Sequence, residues 1–72
     1  MFKINEVDKV NILKETREKN KLTQTKMAQR LGISVQRYNS YERKRRKIPP
    51  DIAILISETF KINLKEIFLG MN

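Results

Sequence analysis

Three times along this chain an apolar residue stands directly before a residue suited to capping a helix N-terminus. In each case a second apolar residue follows four places after the cap: Leu22-Thr23 with Met27, Ile33-Ser34 with Tyr38, and Ile62-Asn63 with Ile67. The side-chain oxygen of the cap can accept an N–H of the first helical turn, and the apolar pair closes over it as a hydrophobic staple. Three helix starts are thereby fixed. Because Thr23 and Ser34 lie so close together, the helix between them must be short. Asn63 also has Glu66 three places on, which suits a capping box, and Asp8 between Val7 and Ile12 fits the staple form. Pro50 followed by Asp51 marks a start of another kind, since proline suits the first helical turn and an acid there favours the helix dipole.

Between these starts apolar residues recur at three- and four-residue steps, and no alternating stretch is long enough for a strand. Helices are expected at about 8–20, 24–31, 34–43, 51–60 and 64–69. The fold class is therefore all-α: a compact five-helix bundle forming one domain over 1–72, with 1–7 as an N-terminal arm. A chain of 72 residues buries about 60% of its unfolded surface, enough for one small core. The expected core comprises Val7, Val10, Leu13, Met27, Ala28, Leu31, Tyr38, Tyr41, Ala53, Ile56, Phe60, Ile67 and Phe68.

The charge is unevenly placed. The net charge is +8, and eleven of the sixteen Lys and Arg residues lie between 17 and 47, opposed there only by Glu18 and Glu42. A basic centre between near-neutral flanks is the electrostatic footprint of a polyanion-binding protein. Cysteine, histidine and tryptophan are absent. That removes disulfides, thiolate or imidazole metal sites and the common nucleophile–base pairs. A core this small also leaves no room for a concave catalytic or ligand-sensing site, so no enzyme, metal, cofactor or small-molecule ligand is expected. No apolar run reaches the roughly 18 residues of a membrane span, and the N-terminus lacks a signal-peptide core. A cytoplasmic protein with no membrane partner is expected.

Counting from Gln24, two helices of about eight and ten residues are joined by a three-residue turn at Gly32, where a left-handed conformation costs glycine nothing. Ala28 falls where the helices cross, and Met27, Leu31, Ile33, Tyr38 and Tyr41 fall inward. This arrangement over about 24–43 is a helix-turn-helix.

The stretch LTQTKMAQRLGISVQRYNSYERKRRKIP, followed by FKINLKEIF, resembles the phage-repressor, Cro-like (Xre) class of helix-turn-helix DNA-binding proteins. The likeness covers roughly residues 8–69. It implies a lambda-repressor-like DNA-binding domain of five short helices, with the third in the major groove of double-stranded DNA. It also implies a homodimer on a palindromic operator. The implied function is a sequence-specific transcriptional regulator, a small repressor of bacterial or phage type. The Lys-, Ile- and Asn-rich composition agrees with an A/T-rich genome. The other reading is the antitoxin of a toxin–antitoxin pair that also represses its own operon.

By the family's pattern Val35, Gln36 and Ser40 read base edges. Gln36 suits adenine and Val35 a thymine methyl, while Arg37 can reach guanine or a phosphate, with phosphate slightly favoured. The resemblance makes Gln24 a phosphate ligand assisted by the free amides of its helix start. Asn39, Arg43, Lys44 and Lys47 are further phosphate contacts, whereas Arg45 and Arg46 are as readily merely solvated. Arg17 and Glu42 match a salt bridge joining the first helix to the end of the third, the alternative being Arg17 on phosphate and Glu42 in solvent. Leu55, Leu69 and Met71 mark the expected dimer interface, with core completion as the other reading. The chain departs from the family at Lys21 and Lys44, where glycine is common. It departs also at Tyr38, more often Ile or Val, whose hydroxyl is expected to reach the surface.

Overall fold

A computed structural model of the chain describes residues 11–71, with side chains through Leu69. Among the described residues there are five helices: α1 (Ile12–Lys19), α2 (Gln24–Leu31), α3 (Val35–Glu42), α4 (Pro50–Phe60) and α5 (Leu64–Met71). Four of them have only eight residues. Isolated helices shorter than about 12–15 residues are marginal in water, so capping and tertiary packing must hold these in place.

The caps act as the sequence implies. Thr23 accepts from the Lys26 N–H and Ser34 from the Arg37 N–H, each at 3.1 Å. Asn63 accepts from the Lys65 N–H at 2.8 Å. Pro50 occupies the first turn of α4, with Asp51 beside it and no side-chain cap. The first helix differs from expectation. It starts at Ile12 rather than near residue 8, because Asn11 caps it by accepting from the Lys14 N–H at 3.1 Å. The Asn11 amide also donates to the Glu42 carbonyl at 3.1 Å, which ties this start to the end of α3. Val7, Asp8 and Val10 lie outside the described residues.

The helix ends share one backbone device. Gly32 (φ 69°), Lys21 (φ 57°), Lys44 (φ 60°) and Lys61 (φ 58°) are all left-handed. In each case the following N–H turns back to a carbonyl five residues earlier: Leu22 to Arg17, Ile33 to Ala28, Arg45 to Ser40 and Ile62 to Ser57, at 2.9–3.1 Å. This is the Schellman closure, usually made with glycine at the left-handed position. Here lysine takes that position three times, at a steric cost of about 1–2 kcal/mol per residue. At three of the four ends the next two residues are apolar and then a cap: Leu22-Thr23, Ile33-Ser34 and Ile62-Asn63. One three-residue turn thus ends a helix, anchors to the core and starts the next helix. Lys61→Gly should therefore raise the melting temperature by several degrees, since about 1 kcal/mol moves a domain of this size by about 4–8 °C. An unchanged or lowered value in thermal unfolding would show that the left-handed lysine carries no strain.

The core is formed by Leu13, Met27, Ala28, Leu31, Tyr38, Tyr41, Ile48, Ile52, Ala53, Ile56 and Ile67. Phe60 and Phe68, expected inside, are only half-buried against it. Ile48 and Ile52 are additions to the expected core. Ile48 is buried at the end of the basic run and pins the α3–α4 connection to the core. α3 packs chiefly on α2, while α5 lies against α1 and α4.

Candidate nucleic-acid interface

Ala28 is buried on α2, the helix against which α3 chiefly packs. Tyr38 and Tyr41 are buried and fasten α3 to the core, so Val35, Gln36 and Arg37 stand exposed on the opposite side. Asn39 and Ser40 are half-buried along the same edge. This is the outer face expected from the sequence.

The orientation of α3 is set by a buried carboxylate. Glu42, 8% exposed, receives Arg17 Nε at 2.7 Å and the hydroxyl of Tyr38 on the same oxygen. Gln24 Nε2 donates to its other oxygen at 3.2 Å, with Arg17 Nη2 at 3.5 Å. Arg17 also donates to the Leu22 carbonyl at 3.1 Å, so α1, the turn before α2, α2 and α3 meet at one point. Arg17 and Glu42 do form the interhelical pair, in preference to the alternative of phosphate and solvent.

Tyr38 corrects an expectation. Its hydroxyl does not reach the surface but is buried between Glu42 and the Leu13 carbonyl. Ile or Val here would leave that carboxylate with the donors of Arg17 and Gln24 alone. Burial pushes the Tyr38 phenol well above its usual range, and the adjacent Glu42 carboxylate adds to this.

Burial also acts to raise the Glu42 carboxyl. The hydrogen bonds from Arg17, Tyr38 and Gln24, with the charge of Arg17, outweigh it and hold the group below its ordinary value of 4.5. A carboxyl depressed in the folded state contributes stability that is complete above its unfolded pKa and is lost as pH falls through the folded one. Thermal unfolding should therefore show stability declining below about pH 4.5, with a smaller decline in Glu42→Gln. Identical pH profiles for the two proteins would contradict this linkage.

Gln24 and Asn39 are brought together. Asn39 Nδ2 donates to Gln24 Oε1 at 3.1 Å, and Gln24 passes the connection on to Glu42. Each carboxamide has two N–H groups, so a second donor remains on each beyond the bond described. Of the first N–H groups of α2, those of Lys26 and Met27 are taken by the Thr23 hydroxyl and carbonyl, and those of Gln24 and Thr25 stand ahead of the helix's own hydrogen-bond ladder. Arg37 Nε donates to the Tyr41 hydroxyl at 2.7 Å, with its guanidinium 6.0 Å from the ring centroid. Ser40 Oγ donates to the Gln36 carbonyl at 3.0 Å, which leaves its oxygen as an acceptor toward the outside. Beyond α3, Arg43, Arg45, Arg46 and Lys47 are exposed and Lys44 is half-buried.

A family model described as helix-turn-helix (HTH_3) matches residues 13–67. The chain belongs to the Cro/Xre-type helix-turn-helix family. It is a DNA-binding transcription regulator of that kind. No curated protein and no solved structure matches the chain significantly.

The matched segment of this Cro/Xre-type protein runs from Leu13 to Ile67, the first and last residues of its core. On the C-terminal side Leu55 is 36% exposed and Leu69 77%. Ile54, directly before Leu55 on α4, is 45% exposed and adds to the exposed apolar surface beyond the residues expected. Its place directly before Leu55 is the one sequence signal that marks it. The Met71 side chain lies outside the described residues. No helix among the described residues is long and apolar enough to cross a membrane.

Proposed function

We propose that this Cro/Xre-type regulator is a repressor that binds a palindromic operator as a homodimer, with α3 in the major groove of each half-site. The observation that carries this reading is the Glu42 cluster. It ties α3 to α1 through Arg17 and to α2 through Gln24, while Val35, Gln36 and Ser40 lie along the other side of the helix, where they suit base reading. Side chains near the start of a recognition helix enter the groove most deeply, which suits Val35 and Gln36. Arg37, held against Tyr41, takes a phosphate or a guanine at the flank. Gln24 and Asn39, with the first amides of α2, form one phosphate seat, and Arg43, Lys44 and Lys47 form a second beyond α3.

Dimerisation is assigned to Ile54, Leu55 and Leu69, whose exposed apolar surface two copies would cover together, with Met71 following on. Two chains on a palindrome would set their recognition helices about 34–36 Å apart. Sedimentation with a full palindromic duplex should give two chains per duplex for the wild type, and Leu55→Asp should shift this toward single occupancy. A wild type that binds only as a monomer would remove the dimer. If that monomer co-purified with a second protein, the antitoxin reading would take its place.

A further inference from the structure

The turn after α3 breaks the pattern of the other three. Where Lys21, Gly32 and Lys61 are each followed by an apolar residue and a cap, Lys44 is followed by Arg45 and Arg46. The backbone closes regardless. The Arg45 N–H donates to the Ser40 carbonyl at 2.9 Å, and the Arg46 N–H lies 3.4 Å from the same oxygen. Anchoring is supplied further on by buried Ile48. Closure of this turn therefore makes no use of the two arginine side chains.

The closure has a positional consequence. Two successive amides on the Ser40 carbonyl draw Arg46 back along α3. There it lines a shallow concavity together with Ser34, Gln36, Arg37 and Ser40. Arg45, its immediate neighbour, is not part of that lining. Within the concavity the Ser40 hydroxyl is directed onto the Gln36 carbonyl, and Arg37 Nε onto Tyr41. Arg46 is exposed and brings a planar fork of donors to the edge of the base-reading face. With Arg37 engaged by Tyr41, Arg46 is the cation of this lining left to serve a base beside Gln36 and Ser40.

We propose that Arg46 is a specificity-determining residue, whose guanidinium reads a guanine through O6 and N7 at a base pair adjoining the one read by Gln36. The proposal rests on α3 being the recognition helix. Binding sites selected from a randomised duplex pool by wild type, Arg45→Ala, Arg46→Ala and Arg46→Lys, followed by affinities across a salt series, test it. The wild-type consensus should hold a symmetric pair of guanines. That preference should fall about tenfold or more in Arg46→Ala and also in Arg46→Lys, which keeps the charge but loses the fork, and it should persist in Arg45→Ala. Arg46→Lys should keep the wild-type salt dependence. If Arg46→Ala weakened every site equally and left the consensus intact, Arg46 would be a phosphate contact and the proposal would fall alone. If the wild type selected no consensus, the reading of α3 would fall with it.

Discussion

Replacing Glu42 with alanine should lower the melting temperature by about 10–20 °C and weaken DNA binding, although Glu42 is itself buried. The change would leave Arg17, Tyr38 and Gln24 without their common acceptor. Breaking a buried ion pair by deleting one partner costs about 3–5 kcal/mol. Arg17 retains 15% side-chain exposure, so water recovers part of this and about 2–3 kcal/mol is expected. Each kcal/mol shifts the melting temperature of a 60–100-residue domain by about 4–8 °C. Binding weakens because α3 loses the Arg17 tie to α1, keeping only the Asn11 amide on its last carbonyl and the Tyr38–Leu13 contact, and because the Gln24–Asn39 pair loses the carboxylate behind it. A cycle with Arg17→Met should give a favourable coupling energy between the two positions. If Glu42→Ala matched wild type in both melting temperature and affinity, the cluster would not be what orients α3.

Gln36→Ala should act in the opposite way, leaving stability within about 0.5 kcal/mol while weakening operator binding strongly. Gln36 is exposed, so truncating it removes little from the fold. A bidentate pairing with adenine is worth about 1–3 kcal/mol of discrimination, and a palindrome makes it twice. The operator affinity should therefore drop about thirtyfold or more, with relaxed preference at two symmetric positions. The salt dependence should not change, because the substitution leaves the charge as it was. Lys47→Ala offers the contrast: it should weaken all sequences evenly and reduce the salt slope by about one for each phosphate that Lys47 neutralises. Equal weakening by Gln36→Ala on every sequence would place Gln36 outside the groove.

The helix starts were legible because a cap and its staple are local, as at Thr23, Ser34 and Asn63. The true start of α1 was not, since Asn11 is chosen partly by a bond to the Glu42 carbonyl far along the chain. Helix ends were harder to read. Glycine announces a left-handed residue only at Gly32; Lys21 and Lys44 were marked by the resemblance alone, as places where glycine is common, and Lys61 only by the apolar residue and cap that follow it. Ile48 was hidden by the basic run before it. The outward residues of α3 followed from the inward tyrosines, and the Arg17–Glu42 pair from the family resemblance. The role of the Tyr38 hydroxyl needed the fold, because Glu42, one turn on along α3, is turned inward to it by Arg17 and Leu13 approaches from α1. The same holds for Gln24, whose carboxamide is aligned by Glu42 and Asn39 on α3.

The measurement closest to the central claim is selection of binding sites by the wild-type protein from a randomised duplex pool, repeated at low and high salt. Sequence-specific recognition by paired α3 helices predicts one palindromic consensus whose half-sites are centred about 10–10.5 base pairs apart, unchanged in sequence as salt lowers the affinity. A pool that remains random, with binding that simply fades as salt rises, would contradict it.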